Sequence, residues 1–263
     1  MLNINKFFEI FDKLIEIYKK LELDKWGRLY LSTTRKKIHI QPIELFMLPI
    51  FYLKGGDIDT RVTKLFARFM LGYIIQKQKI ALSHFCYIEK FQQITNKVIQ
   101  DNSYDYFEEL QKKLRDNVDK TAFDAFETTF KRSTHESNEN PKAILMYLES
   151  FNTPDTHVPG YSSTVEHIIC QDNKDSLEDE KNCFRIGNMT LLCGTNSGNG
   201  ARGNYSLKNL PYEEKIAEYK KSEHSYTKEL GETYLIFTEQ DIIYRNNYLA
   251  EQAKKWIIKP TDN

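Results

Sequence analysis

Only two short stretches of this 263-residue chain read as strand. Residues 164–169 and 185–192 are β-branched runs of strand length, separated by a charged connection at 170–184. Nearly everything else that has a pattern has the helical one. The expected fold class is therefore α+β and predominantly helical, with residues 1–150 almost entirely helix and strands confined to about 160–195.

The helices are legible from their apolar spacing. Phe7, Phe11, Leu14, Tyr18 and Leu21 fall three and four residues apart, which predicts one buried stripe on a helix over residues 3–23. Residues 41–49 begin a second, short apolar helix, and Gly55-Gly56 breaks the chain after it. Thr60 is placed to cap the next helix, whose stripe is Val62, Leu65, Phe66, Phe69, Tyr73 and Ile74. Ser83 and Ser103 are expected caps for helices over 84–100 and 104–116, and Pro141 suits the first position of a helix running to Ser150. Thr238-Glu-Gln-Asp241 spells a capping box with Asp in its fourth place, ahead of Ile242, Leu249, Ala253, Trp256 and Ile257 on one face. Composition shifts at residues 152–163, which hold two Pro and one Gly. That stretch is the expected linker between a helical domain at 1–151 and a second domain at 164–263.

The balance of residue types excludes several classes. With 40% hydrophobic and 28% charged residues the chain is an ordinary globular sequence, and 16 Tyr plus 16 Phe argue for packed helices over disorder. No apolar run approaches the ~18 residues of a membrane span, and the N-terminus lacks a signal-peptide pattern. Four cysteines without paired spacing fit a reducing compartment, so a cytoplasmic location is expected. Net charge is zero, yet residues 25–80 hold eleven basic and three acidic side chains. Arg35, Lys36, Lys37, Arg61, Lys64 and Arg68 in that segment suit either a phosphate backbone or an ordinary solvated surface.

Chemistry concentrates at the two strand-like runs. The first delivers adjacent Glu166 and His167, the second delivers Asn188, and a polar Gly-rich stretch then delivers Asn196. Phosphodiester hydrolysis needs an activated water and neutralised phosphoryl charge. His167 suits the role of general base, because a neutral imidazole takes a proton near pH 7. Glu166 and Asn196 form an oxygen-only pair that suits Mg²⁺ or Mn²⁺. Asn188 is placed to orient the His167 ring by a hydrogen bond. Arg202, in the loop after Asn196, suits either a phosphate clamp or a solvated position. Asn199 and Asn204 in the same loop are alternative ligands to Asn196.

The sequence Val165-Glu-His-Ile-Ile, then Ile186-Gly-Asn-Met-Thr-Leu-Leu192, then Asn196, then Tyr205-Ser-Leu-Lys208 resembles the HNH nuclease domain of the GmrSD type. That family forms the C-terminal part of modification-dependent restriction and phage-defence proteins, and its usual wording is close to E-H-I-x-P-Q, G-N-L-T-L-L, N and F-x-x-K. The firm resemblance covers about residues 160–258. It implies a ββα-metal unit in which His167 is the general base, Glu166 and Asn196 hold the metal, and Asn188 holds the histidine and its loop. It also implies that Lys208 is a phosphate contact or a structural lysine. One departure is that Cys170 stands where the family has proline, which bears on the chain exit more than on the chemistry.

The implied activity is metal-dependent cleavage of DNA in a bacterial defence system. In members of that family the nuclease part usually follows a ParB-like nucleotide-hydrolysing domain. No phosphate-binding Gly-rich loop occurs in this chain, so the expected partner is a separate ParB-like sensor subunit or another defence-system protein, unless the chain is an excised or stand-alone effector. Two rival readings remain. One is zinc held by Cys170, Cys183, Cys193 and His167, against which stand spacings with no Cys-x₂-Cys knuckle. The other is a non-catalytic DNA-binding or assembly subunit. His157, in the linker, is a further candidate substrate contact; the remaining histidines read as structural.

Overall fold

The structure, a computed structural model, describes residues 4–34, 41–76, 84–136, 139–153, 163–192 and 207–261, with backbone alone at 5, 32–34, 41–45, 84–88 and 139. The chain divides into two compact units. Unit 1 comprises 1–73, 77–123 and 258–263, and unit 2 comprises 74–76 and 124–257.

The regular elements of unit 1 are helices among its described residues: α1 (Ile4–Leu23), α2 (Lys25–Thr34), α3 (Gln41–Leu53), α4 (Thr60–Gln76, whose residues 74–76 count with unit 2), α5 (His84–Gln100), α6 (Tyr106–Arg115) and α7 (Lys120–Asp124, whose Asp124 counts with unit 2). Its core is aromatic. Phe46, Phe66 and Phe91 from α3, α4 and α5 meet with centroids 4.8–6.0 Å apart, each removing a side chain worth about 1.5–3 kcal/mol from water. Trp26 is buried with the ammonium groups of Lys25 and Lys64 over its ring at 4.8 and 5.1 Å, so two of the basic residues at 25–80 serve internal contacts. Arg61 is likewise paired with Asp59 at 2.9 Å. Arg35, Lys36 and Lys37 lie outside the described residues.

Three local expectations change in unit 1. The stripe expected on α1 is buried at one end only: Leu21 is in the core, Leu14 and Tyr18 are half-buried, and Phe7 and Phe11 are 51% and 50% exposed, while Ile17, outside the expected stripe, is buried. The apolar pattern is wider than the surface α1 packs against. The cap of α4 is Asp59, not Thr60: Thr60 is already the first helical residue, and the Asp59 carboxylate before it accepts the Arg61 N–H at 3.0 Å. The cap of α6 is Asp105, whose carboxylate takes the Phe107 N–H at 3.1 Å; Ser103 instead donates its hydroxyl to Asp101. Gly55 and Gly56 do break the chain, at φ of 92° and 88°, a conformation that glycine adopts without strain.

Unit 2 starts earlier than the expected linker. It contains α8 (Phe126–Arg132) and α9 (Glu139–Asn152), then β1 (Thr164–His167), three 3₁₀ turns, β2 (Met189–Leu192), α10 (Tyr212–Tyr219), α11 (Ser225–Thr233) and α12 (Glu239–Trp256). Side chains of α9 explain the shift from the expected boundary at 152–163. Glu149, buried, accepts the Ser225 and Tyr226 N–H groups and so caps α11, and Phe151 stacks on Trp256 of α12 at 4.7 Å. Residues 154–162, the body of the expected linker and the place of His157, lie outside the described residues.

The strands form one antiparallel pair with Thr164 opposite Leu192 and His167 opposite Met189. The second run yields a shorter strand than its pattern suggested, because residues 186–188 turn as a 3₁₀ segment before β2 begins. A core of Ile168, Leu192, Leu207, Tyr212, Tyr219, Leu230, Phe237 and Ile242 joins the hairpin to α10, α11 and α12. The fold is thus helical with a two-stranded sheet, as expected. Residues 193–206, where the third element of a ββα unit is expected, lie outside the described residues. The capping box of α12 is formed: Thr238 Oγ1 accepts the Asp241 N–H and Asp241 accepts the Thr238 N–H at 2.8 Å.

Candidate active site

Alternation along β1 sends Glu166 and His167 to opposite faces, and both are buried. Glu166 faces α10. Its Oε1 lies 2.5 Å from Lys215 Nζ, and the same ammonium donates to the carbonyls of His167 at 3.0 Å and Ile168 at 3.3 Å. Lys215 is wholly buried, so its three donors find three acceptors inside the protein. Burial raises the pKa of Glu166, opposed by the charges of Lys215 and then Lys208. Lys208 is therefore near the carboxylate while remaining exposed in the turn that follows Leu207.

His167 faces the turn that leaves β1. The Gln171 amide nitrogen is 3.2 Å from its Nε2, and the Phe184 ring stands edge-on at 6.5 Å. Burial, and secondarily the charge of Lys215, holds the His167 pKa down to about 4. The imidazole is consequently neutral at physiological pH, the protonation state a general base requires. With the Gln171 amide as donor, Nε2 is the acceptor and the ring proton sits on Nδ1.

Asn188 has a different job from the one its spacing suggested. Its amide nitrogen donates to Ile169 O and Cys183 O, both at 3.0 Å, and its Oδ1 accepts the Ile169 N–H at 2.8 Å. The side chain is fully buried with all three bonds made to backbone. It thus ties the chain just after His167 to the turn before β2, and the ring of His167 takes Gln171 as its partner instead. A carboxamide does this because one group offers both a donor and an acceptor to an exposed peptide unit.

The turn carrying Asn188 is itself gripped by α12. Arg245 Nη1 donates to the carbonyls of Gly187 at 2.9 Å, Met189 at 2.7 Å and Ile186 at 3.3 Å, and Asn246 Oδ1 accepts the Gly187 N–H at 3.2 Å. Gly187 is required by this approach: a Cβ there would stand 2.2 Å from Ile242 O. Glu239, in the first turn of α12, accepts from Asp179 N at 3.0 Å and from Asn182, fixing the preceding turn as well.

Of the residues singled out from the sequence, Glu166, His167 and Asn188 lie together at the strand pair, and Gln171, Lys215, Arg245 and Asn246, which the sequence did not single out, make hydrogen bonds to them or to their turns. Two of these left a signal. Lys215 sits three residues after Tyr212 and four before Tyr219, a charge on the apolar face of a helix. Gln171 sits where the family wording has its glutamine, directly after the Cys170 that replaces proline. Asn196 and Arg202 lie outside the described residues, as do Asn199, Asn204 and Cys193. Among the described residues no group of three or more His, Cys, Asp or Glu side chains is arranged to hold a metal ion. Cys183 is buried against the Asn188 amide, and Cys170 points to Asn209. Glu166 offers an anionic oxygen ligand of the kind Mg²⁺ takes, and Lys215 occupies one of its two oxygens.

Glu166 and His167 thus lie buried side by side on one strand of a two-stranded sheet, with Asn188 stapling the loop behind the histidine. The chain belongs to the GmrSD restriction endonuclease C-terminal domain family, whose model matches residues 87–252. The matched region includes both strands and most of α12. No curated protein and no solved structure matched the chain. No described helix is long and apolar enough to cross a membrane.

Proposed function

We propose that this protein is a metal-dependent HNH endonuclease that hydrolyses DNA phosphodiester bonds as the effector of a bacterial restriction or anti-phage system. The observation that carries the reading is the buried His167 held beside Glu166 on a strand whose exit is fixed by Asn188, in a chain of a restriction endonuclease family. In this reading His167 takes the proton from the attacking water. Asn188 and Arg245 keep the strand and the turn in register, so that the imidazole does not have to reorganise when the phosphodiester arrives. Lys208 and Arg202 contact the phosphate. Glu166 and Asn196 hold Mg²⁺ or Mn²⁺, which supplies neutralisation of charge on the phosphoryl oxygens when bound. A sensor subunit of ParB-like type supplies recognition.

Cleavage of plasmid DNA with Mg²⁺ or Mn²⁺, with and without excess chelator, is the test. His167→Ala is expected to lower the rate by roughly 10²–10⁴-fold while leaving the melting temperature within a few degrees of wild type. Wild-type cleavage that persists unchanged in chelator removes the metal from the reading. One observation favours a second reading, a DNA-binding or assembly subunit without catalysis: Glu166 is neutralised internally by Lys215. DNA binding without any metal-stimulated cleavage, in wild type and His167→Ala alike, selects that alternative.

A further inference from the structure

Among the described residues, five of the ten large hydrophobic side chains that stand in solvent lie on α1: Ile4, Phe7, Phe8, Phe11 and Ile15, at 69%, 51%, 55%, 50% and 39% exposure. Single exposed apolar groups are ordinary, but a contiguous patch of them marks an interaction surface. At roughly 3.6 residues per turn all five fall within about 100° of the helix circumference, and Ile4, Phe8, Phe11 and Ile15 within about 60°. The charged residues of the same stretch, Lys6, Glu9, Asp12 and Lys13, fall outside that arc. Nearer the C-terminal end of α1, Ile17 and Leu21 are in the core, and Lys20 donates to Gly56 O at 2.8 Å. One end of α1 is thus held by unit 1. The other end presents an aromatic face, on which Phe7 stacks with Phe11 at 6.2 Å and meets Phe8 edge-on at 5.7 Å.

We propose that this face binds a second copy of the chain, with the two α1 helices paired antiparallel. The order of the four central side chains is the reason. Ile4-x₃-Phe8-x₂-Phe11-x₃-Ile15 reads the same from either end. Reversing one helix about its midpoint therefore sets Ile4 against Ile15 of the second copy and Phe8 against its Phe11, each contact occurring twice. That self-complementarity is what a two-fold interface requires. A parallel pair would bring the two unit 1 cores to the same end, whereas the antiparallel pair sets them at opposite ends, because Ile17 and Leu21 lie in the C-terminal half of each helix. The area also suffices. Three half-exposed Phe rings present about 300 Å², and the two Ile raise that to about 500 Å² per copy. A pair then buries about 1,000 Å², the size at which a specific interface begins. The interface uses none of the residues of the nuclease reading and stands independently of it.

The test is the mass of the full chain in solution, by sedimentation velocity from low to high micromolar concentration. The samples are wild type, Phe8→Glu, Phe11→Lys and an equimolar mixture of the two variants. Wild type is expected to shift from one chain towards two as concentration rises. Each variant alone sets its charges against rings of the other copy and should weaken association at least about tenfold. Helical circular dichroism and melting temperature of the dilute chain should stay those of wild type, both positions being half in solvent. In the mixture one carboxylate meets one ammonium and the two remaining rings meet each other, so association should return with one copy of each variant per dimer. That recovery supports the antiparallel register, since a parallel pair sets each position against itself. Variants that lose association without recovery in the mixture overturn the antiparallel pairing. A wild-type dimer that both variants leave intact overturns the proposal, because the contact then lies elsewhere. Wild type that is monomeric at every concentration also overturns it, including the case in which the same variants lose binding to anionic phospholipid vesicles, another surface that an aromatic helix face can meet.

Discussion

Lys20 and Asp57 of unit 1 meet at 3.1 Å with 50% and 91% of their side chains in solvent; Lys215 and Glu166 of unit 2 meet at 2.5 Å with 0% and 1% exposed. The contrast extends beyond these pairs. Unit 1 is held by aromatic and aliphatic packing with its ion pairs at the surface, as at Lys97–Glu109 and Arg61–Asp59. Unit 2 buries Glu149, Glu166, Asn188, Lys215, Arg245 and Asn246 in and around a sheet whose two described strands are four residues each. Apolar packing fills space but fixes direction poorly, whereas a buried donor without its acceptor is expensive and so specifies a geometry. The unit with the candidate site is the one in which direction has to be specified.

The comparison is broken most severely at Lys215. Lys215→Met leaves a buried carboxylate without its cation, and a loss of about 3–5 kcal/mol is expected in chemical denaturation. The double variant Glu166→Leu/Lys215→Met should recover most of that loss, since replacing both members of a buried pair by apolar groups is often close to neutral. A single Lys215→Met that melts like wild type would show that the pair does not organise unit 2.

Gly187→Ala ranks next. Its new methyl group meets Ile242 O at 2.2 Å and the Asn246 Cβ at 2.8 Å, both on α12, so the turn or the helix must move. About 1–3 kcal/mol of stability should be lost. Cleavage should fall further than stability predicts, because the displaced turn carries Asn188. Equal losses in the two measurements would reduce Asn188 to a structural role.

These two positions also show what was legible in the sequence. Glu166-His167 and Gly187-Asn188 declare themselves because each is an adjacent pair on its own patterned run, and the capping box of α12 is local by construction. Lys215 and Arg245 lie 49 and 58 residues from the groups they hold, and no spacing rule joins them. The same distinction governs the smaller misses. Asp59 and Asp105 cap α4 and α6 in place of Thr60 and Ser103, whose hydroxyls donate instead to Asp24 and Asp101, and sequence ranks such neighbouring candidates only weakly. The exposed Phe7 and Phe11 show that an amphipathic pattern gives the width of an apolar face and not the extent of its partner.

A mid-sized effect belongs to α12, which grips the turn through Arg245 and Asn246 and is anchored at its start by the capping box. Thr238→Ala removes the hydroxyl that accepts the Asp241 N–H and donates to its carboxylate, and should cost about 1 kcal/mol. Thr238→Ser retains the hydroxyl and should restore nearly all of it. If alanine and serine behave alike, Glu239, which holds the 3₁₀ turns from the same helical turn, is the group that anchors α12.

The smallest effect is expected where the comparison began, in unit 1. Lys20 donates to Gly56 O at 2.8 Å and to Asp57 at 3.1 Å, so a contact list ranks it beside Lys215. Both of its partners, however, keep access to water, which solvates them when the ammonium is gone. Solvent also screens the pair, and holding two mobile side chains together costs conformational entropy. Lys20→Ala should therefore change stability by no more than about 0.5 kcal/mol, and 0.5 M salt should reduce even that. A loss approaching that of Lys215→Met would mean that the Gly55-Gly56 turn, rather than the ion pair, depends on Lys20. Measuring Asp57→Ala alongside separates the two, because it removes the ion pair and leaves the bond from Lys20 to the Gly56 carbonyl.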